Sequence, residues 1–328
     1  MTPPSSQRRS RSEQALLDST EASSSTELEH LSSQLSSVLA PFVGAGRALE
    51  SFGEQKVLVD ATKKFLMRDD AGKVELIVLC SAAGGPEIVA RNVQRAREAV
   101  DALGADLGMA VLLPVYEGDF EGRTFAVFSY CTPLVESGPR WWIQRSVVRP
   151  RLLRWLLDSS RRTAIEVSEE QLESAVTQPL EKMMQDEGHS PALRELAHES
   201  LRAVRARAWH PKHVLVHGDL WAGNVLIDQR SPGGSLFGRL VIIDWAGSQV
   251  RGYPFYDLLR LSCSFGLSGR RFFRTFDEYC AAIGYDRAQG HYAFAATAAE
   301  LGERLEHWPR SSYLSTIERC YRKMVSGR

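Results

Sequence analysis

Polar side chains that could hold a metal ion or move a proton lie between short apolar runs near residue 220. His217, Asp219 and Asn224 occupy a loop between two such runs, and Asp244 directly follows a third. Apolar runs of this length, bounded by Gly and Asp, predict short buried strands. The Ser-Pro-Gly-Gly segment before the third run has turn composition, so we expect the second and third runs to pair as a hairpin. That hairpin, of 225–227 with 240–243, would bring Asp244 near Asn224 and Asp219.

Oxygen-bearing side chains in this arrangement favour phosphoryl transfer from a magnesium–nucleotide complex. Mg²⁺ is a hard cation that is usually held by one or two side chains and by phosphate oxygens, and Asn224 and Asp244 are suited to this. Asp219 lies five positions before Asn224. This is the spacing of the protein-kinase catalytic loop, in which the Asp accepts the proton of the substrate hydroxyl and the Asn holds metal. The loose transition state leaves mainly positioning and charge for the protein to supply.

Three motifs in order resemble the aminoglycoside phosphotransferase and choline kinase superfamily, small-molecule kinases with a protein-kinase-like fold. They are the His-Gly-Asp triplet ending at Asp219 together with Asn224, the Ile-Asp-Trp triplet around Asp244, and the Pro-Phe-Tyr-Asp-Leu segment that contains Asp257. The resemblance implies that Asp257 supports the catalytic loop. Alternatively, His217 and Asp219 merely cap a turn in a hydrophobic core, but that interpretation must explain every motif separately.

Composition predicts a cytoplasmic enzyme with two lobes. The chain has 328 residues, and its 40 Lys and Arg balance its 40 Asp and Glu, so no charge excess favours nucleic acid or an anionic membrane. Its five cysteines include no C-x-x-C pair, which argues against disulfides and structural zinc and favours a reducing compartment. We expect no membrane span and no secretory signal, because no run approaches the roughly 20 apolar residues of a membrane helix.

Residue patterns divide the chain into a tail and two lobes. Residues 1–37 are a Ser-rich tail that is predicted to be disordered or partly helical. Met1–Ser25 is predicted to be disordered, and the segment after it favours a solvated tail but could form a short amphipathic helix that packs on the first lobe. Residues 38–131 would form a nucleotide-binding lobe, and 132–328 a catalytic and acceptor-binding lobe. The predicted elements of the first lobe are strands 56–60, 64–68, 74–79, 110–113 and 125–130, with a helix over 89–103.

The resemblance also implies nucleotide contacts in the first lobe. The backbone of Ser129, Tyr130 and Cys131 would be the hinge that binds the nucleotide base. Glu98 lies on the predicted helix where the superfamily has a Glu that pairs with a phosphate-binding Lys.

The expected phosphate-binding Lys at the end of the third strand is not evident. Cys80 stands at that position in the predicted register, and Lys64 or Arg68 on the neighbouring strand could supply the charge instead. A fixed cation at phosphate is electrostatic preorganisation, whose loss typically lowers the rate by roughly 10²–10³. A catalytically weak or inactive nucleotide-binding scaffold on the same fold is therefore the alternative function.

Other segments allow two interpretations each. The Arg- and Trp-rich segment 139–162 favours a helix pair with core Trp residues over a site for single-stranded nucleic acid. Glu300, Glu303 and Glu306 fall near helical spacing, which is typical of a solvated face but could also attract a cationic acceptor. Trp221 could stack on a sugar ring or pack against its own loop.

We therefore expect an α+β, protein-kinase-like fold with a small antiparallel-sheet lobe and a mostly helical lobe containing the catalytic-loop hairpin. The expected activity is transfer of the γ-phosphoryl group of ATP or GTP, with Mg²⁺, to a hydroxyl of a small acceptor molecule. The sequence specifies neither the acceptor, nor the nucleotide, nor the oligomeric state.

Overall fold

The structure, a computed structural model, describes residues 28–44, 47–52, 62–84, 87–135, 137–230, 238–305 and 309–325. Its contacts divide the chain into two compact units. The first contains the chain up to Val89 together with Pro114–Tyr130, and the second contains Ala90–Leu113 and Cys131–Arg328. None of the described helices combines the length and the apolar composition that a bilayer span requires.

The first unit is one antiparallel sheet with a helix on one face. The helix, α1, covers 28–43, and the strand order is β1-β2-β3-β5-β4. Alternate residues of the central strands, such as Phe65, Val78 and Cys80, are buried in one core with Leu35 of α1. This period of two is the pattern of a strand with one face covered. The strands are β1 Leu49–Ser51, β2 Lys63–Arg68, β3 Val74–Cys80, β4 Tyr116–Phe120 and β5 Arg123–Ser129.

The amphipathic helix predicted after the tail is present, whereas one predicted strand is wrong. Residues 110–113 make only an isolated bridge, between Val111 and Ile242, and the fourth strand is instead β4. The apolar run at 110–113 reflects burial in the core of the second unit. Short apolar runs do not by themselves indicate pairing. The tight turn of the β4–β5 hairpin has Glu121 and Gly122 at φ 48° and 69°, as a type I′ turn requires. The predicted disorder of Met1–Ser25 and the predicted strand 56–60 lie outside the described residues.

The second unit is mostly helical and holds two three-stranded sheets, ordered β10-β9-β6 and β11-β8-β7. Its strands are β6 Thr132–Pro133, β7 Ile165–Glu166, β8 Lys212–Val216, β9 Val225–Asp228, β10 Arg239–Ile242 and β11 Gln249–Gly252. Its helices are α2 Ile88–Gly108, α3 Pro139–Thr163, α4 Glu169–Leu172, α5 Gln178–Gln185, α6 Pro191–Arg205, α7 Tyr256–Ser264, α8 Gly269–Ala282, α9 Arg287–Glu303 and α10 Arg310–Val325.

The predicted hairpin is present, because β9 pairs antiparallel with β10 and Val225 lies opposite Ile242. The predicted helix pair over 139–162 is wrong, since α3 runs as a single helix with Pro150 inside it. An interior Pro removes one backbone hydrogen bond. Here the helix continues past it because residues on both sides, among them Val148 and Trp155, are buried in the core of this unit.

Candidate active site

Asn224 and Asp244 leave the β9–β10 hairpin at the same end. The Ile243 N–H donates to the Asn224 carbonyl at 3.0 Å, which extends the ladder one residue beyond the last strand pair. Asp244 follows at once, as the sequence predicted. Its φ of 67° is left-handed and its side chain is exposed. A non-Gly residue held in this region commonly marks a functional site.

Asp219 and Asn224 are joined directly. The Asn224 Nδ2 group donates to the Asp219 carbonyl at 2.9 Å and to its carboxylate Oδ2 at 3.2 Å. The Asp219 side chain is 44% exposed, whereas Asn224 is buried. Because the amide nitrogen is engaged, the amide oxygen Oδ1 is the Asn224 atom suited to a cation.

Asp257 clamps the start of the loop from helix α7. Its carboxylate accepts the backbone N–H groups of His217 at 2.6 Å and Gly218 at 3.1 Å. Burial raises the pKa of Asp257 to about 6, although these hydrogen bonds act in the opposite direction. The contacts are those of the loop-supporting role that the sequence resemblance implies.

His217 links the loop to the hairpin. Its Nδ1 accepts the N–H of Asp219 at 3.2 Å, so its Nε2 donates to the Ile243 carbonyl at 2.9 Å. Burial lowers the pKa of His217 to about 4, and its ring packs edge-on against Trp245 with centroids 4.6 Å apart. With both nitrogens occupied, the neutral ring fixes geometry and is not placed to move a proton.

The loop also requires glycine at one position. Gly218 has φ +83°, and a Cβ atom there would lie 2.7 Å from the Gly247 carbonyl oxygen. Any side chain would therefore both strain the backbone and collide with main chain.

Three further residues position this site and were not identified from the sequence. Arg260 donates from Nη2 to the Asp219 carboxylate Oδ1, and the Ser264 hydroxyl accepts the Ala222 N–H at 3.2 Å. Both lie on α7 at helical spacing from Asp257, which is the signal that could have indicated them. Asn92 on α2 accepts the N–H of the residue after Asp244, Trp245, at 2.6 Å. No local pattern links that pair.

In the first unit, Cys80 and the two alternative cations, Lys64 and Arg68, lie in different environments. Cys80 lies in the apolar core under α1, where burial raises the pKa of its thiol to about 11. Lys64 is paired with Leu79, so it projects from the opposite face of the sheet and is exposed. Because a shift of one residue moves a side chain to the other face of a sheet, the position expected for the phosphate-binding Lys depends on the register of the strand. Arg68, the other alternative, is engaged by Glu50 at 3.0 Å and the Gly72 carbonyl at 2.9 Å.

The other residues that were predicted to contact the nucleotide have partners in the structure. The Tyr130 N–H donates to the Glu75 carbonyl at 2.8 Å, and the chain crosses from the first unit to the second between Tyr130 and Cys131. Ser129 ends β5. Glu98 pairs with Arg95, three residues earlier on α2, at 2.9 Å. Among the described residues, no lysine forms an ion pair with Glu98.

The donor set fits magnesium better than a soft or tightly caged metal. No group of three or more His, Cys, Asp or Glu side chains able to hold a metal occurs in the described parts of the chain. Asn224 and Asp244 offer hard oxygen atoms at one end of a hairpin. A site of one carboxylate and one amide, completed by water and phosphate oxygens, is typical of Mg²⁺ in phosphoryl-transfer enzymes.

The chain belongs to the phosphotransferase enzyme family, whose model matches residues 55–298. Its fold is the α+β, protein-kinase-like fold expected from the sequence. No curated protein matches the chain significantly.

Solved structures with a similar fold include three small-molecule kinases. A choline/ethanolamine kinase family protein from Mesorhizobium loti has 17% identity and a TM-score of 0.48, over 89% of this chain and 94% of that one. Choline kinase LicA from Streptococcus pneumoniae has 13% identity and a TM-score of 0.46, over 90% and 99%. Aminoglycoside phosphotransferase APH(3'')-Id from Streptomyces rimosus has 16% identity and a TM-score of 0.43, over 81% and 98%.

Proposed function

We propose that this protein transfers the γ-phosphoryl group of ATP or GTP to a hydroxyl group of a small acceptor molecule in the cytoplasm. Asp219 accepts the hydroxyl proton and aligns the oxygen for in-line attack. The observation that carries this proposal is the direct hydrogen bond of Asn224 to the Asp219 carboxylate at the end of the hairpin from which Asp244 emerges. This contact supports a role of Asp219 as proton acceptor next to residues suited to hold the metal.

Asn224 and Asp244 are the residues that would hold Mg²⁺. When bound, the ion neutralises charge on the phosphates of the nucleotide and fixes their orientation. His217 and Asp257 hold the loop, and Gly218 allows its close approach to Gly247.

The first unit supplies the nucleotide contacts in this proposal. Residues 38–131 form the nucleotide-binding lobe, and 132–328 the catalytic and acceptor-binding lobe. The backbone around Ser129, Tyr130 and Cys131 contacts the base. The Tyr130 N–H already pairs within the sheet, so the group of Tyr130 that would bind the base is its carbonyl, as an acceptor. Lys64 is the proposed phosphate-binding cation, since it is exposed and no described carboxylate forms an ion pair with it. The inactive-scaffold alternative rests on the lack of an evident phosphate-binding Lys at the end of the third strand, where Cys80 is buried in the core under α1.

The experiment compares Asp219→Asn, Asp244→Asn and the wild-type protein, with Asp158→Asn as a matched surface control. Asp158 is 39% exposed, and among the described residues its ion pair is with Arg161 on its own helix. Nucleotide affinity is measured by calorimetry with and without Mg²⁺, and turnover by phosphate incorporation into a panel of sugars, amines and antibiotics.

We expect Asp219→Asn to bind nucleotide like wild type while turnover falls by roughly 10²–10⁴. Asp244→Asn should lose the part of nucleotide affinity that depends on Mg²⁺, and Asp158→Asn should change neither quantity. Turnover retained in Asp219→Asn would reject its assignment. Nucleotide binding by the wild type without turnover of any acceptor would favour the scaffold.

A further inference from the structure

A cavity of about 350 Å³ opens beside the catalytic loop in the second unit. Two tryptophans, Trp141 and Trp221, line it together with Phe265, Arg145 and Ser264. The cavity therefore combines flat aromatic surfaces with one cation and a few polar groups, the composition of a small-molecule site.

The cavity is built on the same loop as the proposed proton acceptor. Trp221 lies two residues after Asp219, and 43% of its side chain is exposed. Its indole covers Gly223, where a Cβ atom would lie 2.4 Å from the ring. Ser264 fixes the neighbouring backbone by accepting the Ala222 N–H. A molecule against Trp221 would thus lie next to the loop that carries Asp219.

Arg145 is held in place without an acidic partner. Its guanidinium lies 4.4 Å from the ring centroid of Trp141 and 5.5 Å from that of Phe265, and its Nη2 donates to the Ser264 carbonyl at 3.3 Å. No Asp or Glu of the described residues lines the cavity, and none forms an ion pair with Arg145. A guanidinium presents five donors, so this group keeps N–H groups for a ligand.

A second arginine adds positive charge nearby. Partial burial lowers the pKa of Arg145, and the charge of Arg149 lowers it further. Two like charges destabilise each other where no carboxylate of the described residues pairs with Arg145, and an anion bound between or beside them would relieve that repulsion. The electrostatics of the cavity therefore favour an anionic ligand and disfavour a cationic one.

The glutamates at 300, 303 and 306, which were considered as a site for a cationic acceptor, do not offset this positive charge. Glu300 is buried and paired with Arg304 at 3.1 Å, and Glu303 is paired with Lys182. Glu306 lies outside the described residues. Neither described carboxylate remains uncompensated, so this run supplies no free negative charge for an amine.

We propose that this cavity is the acceptor site and that the acceptor is a hydroxylated ring that stacks on Trp221 and carries an anionic group bound by Arg145. This inference rests on the proposed phosphotransferase function for the identity of the bound molecule as acceptor. The site itself stands on the cavity, the aromatic walls and a guanidinium that has no acidic partner among the described residues. It selects against amines, because an ammonium group would approach Arg145 with no described carboxylate to offset it.

The test uses matched rings that differ in charge. One series is glucuronate, glucose and glucosamine, and the other is 4-hydroxybenzoate, 4-hydroxybenzyl alcohol and tyramine. Binding to the full chain without nucleotide is measured by calorimetry and ligand-observed NMR. The variants are Arg145→Gln, Arg145→Lys and Trp221→Ala, with Arg274→Gln as a control because Arg274 on α8 is 79% exposed and outside the cavity.

In at least one series the acid should bind about 10- to 100-fold more tightly than the amine, as expected for hydrogen bonds to a charged group. Arg145→Gln should abolish this preference, Arg145→Lys should keep part of it, and Arg274→Gln should keep all of it. Trp221→Ala should weaken all three members of the series alike. The proposal is overturned if the amine binds as tightly as the acid, if Arg145→Gln retains the preference, or if neither acid binds the wild type at about 10 mM.

Phosphate incorporation on the same proteins separates the two proposals. Acid-selective binding without nucleotide turnover would refute the phosphotransferase function and leave the anion site intact. Turnover confined to amine acceptors would support the function and overturn the assignment of this cavity.

Discussion

The Asp219 carboxylate is held at both of its oxygens. Arg260 donates to Oδ1, and Asn224 donates to Oδ2. An ionised carboxylate has about four lone-pair sites, so an acceptor hydroxyl can still approach while the two donors fix the orientation of the group. Arg260 lies on α7 three residues after Asp257, so one helix supports both the backbone and the side chain of the catalytic loop.

Arg260→Met should lower kcat by about 10- to 100-fold with little change in the KM for nucleotide, because misplacement of a reacting group is costly even when binding is intact. Arg260→Lys should recover part of kcat, since it keeps the positive charge but loses the planar set of guanidinium N–H donors. Steady-state kinetics of both variants beside Arg274→Gln is the measurement. If Arg260→Met keeps the wild-type kcat, Arg260 has no positioning role.

Lys64 and Arg68 lie on the same strand, so substitutions of these two cations can be compared to test which one binds the nucleotide phosphates. Lys64 is exposed without a described acidic partner, whereas Arg68 is engaged by Glu50. Lys64→Ala should lower kcat/KM for the nucleotide by roughly 10²–10³ because a preorganised charge is lost. Arg68→Ala should leave it within about twofold, the effect of an exposed ion pair being small. Equal kinetics for the two variants would exclude Lys64 as the phosphate-binding cation.

At the residue level, a motif is informative where it constrains both residue type and spacing. Asp219, Asn224 and Asp244 were predicted in this way. In the structure Asn224 and Asp244 lie at one end of the hairpin, and Asn224 contacts Asp219. Arg260 was missed because helical spacing does not say which neighbour of Asp257 faces the loop. Asn92 was missed because it contacts Trp245 across 153 positions.

Helix α1 stabilises the first unit by covering one face of its sheet. Leu31, Leu35 and Leu39 recur at intervals of four and are 0–3% exposed, in the same core as Phe65 and Cys80. This spacing places the three leucines on one stripe of the helix. The helix is therefore an integral part of this unit, although it directly follows a segment with the composition of a tail.

Leu35→Ala should destabilise the first unit by about 2–5 kcal/mol, because it leaves a cavity in a packed core. Urea or thermal unfolding followed by circular dichroism measures this, with Ser33→Ala on the exposed side of α1 as the control. The control should change stability by no more than about 0.5 kcal/mol. Comparable stability of the two variants would show that α1 does not contribute to the core.

At the level of strands, the sequence indicates which segments are buried more reliably than it indicates which segments pair. The β9–β10 hairpin has two apolar runs around a turn, and its pairing was predicted. Strand β4 contains Gly118 and two acidic residues, so its sequence carries little strand signal, and its pairing with β5 comes from the Glu121–Gly122 turn. The apolar run 110–113 was mistaken for a strand because periodicity reports burial and not the partner that causes it.

The pH dependence of stability combines buried groups from across the second unit. Burial lowers the pKa of both His213 and His217 to about 4. The unfolded chain therefore binds protons at these sites below pH about 6.5, before the folded protein does, so stability falls as the pH drops from about 6.5 to 4. Asp257 acts in the opposite direction, because burial raises its pKa to about 6 and the folded protein takes up the proton first.

The two histidines outweigh the single aspartate, so acidification from pH 7 to 4 should lower the free energy of unfolding by up to about 4 kcal/mol. His213→Phe isolates the contribution of His213, because it removes the titrating group and keeps an aromatic ring at this position. That ring would still pack against Tyr253, whose ring centroid lies 4.8 Å from that of His213. That variant should lose about 3 kcal/mol less than wild type over the same interval. Chemical denaturation at pH 7 and 4 measures the difference, with His198→Asn, at an exposed position, as the control. If His213→Phe and wild type lose stability equally, the pKa of His213 does not differ between the folded and unfolded chains, and the buried environment assigned to it is wrong.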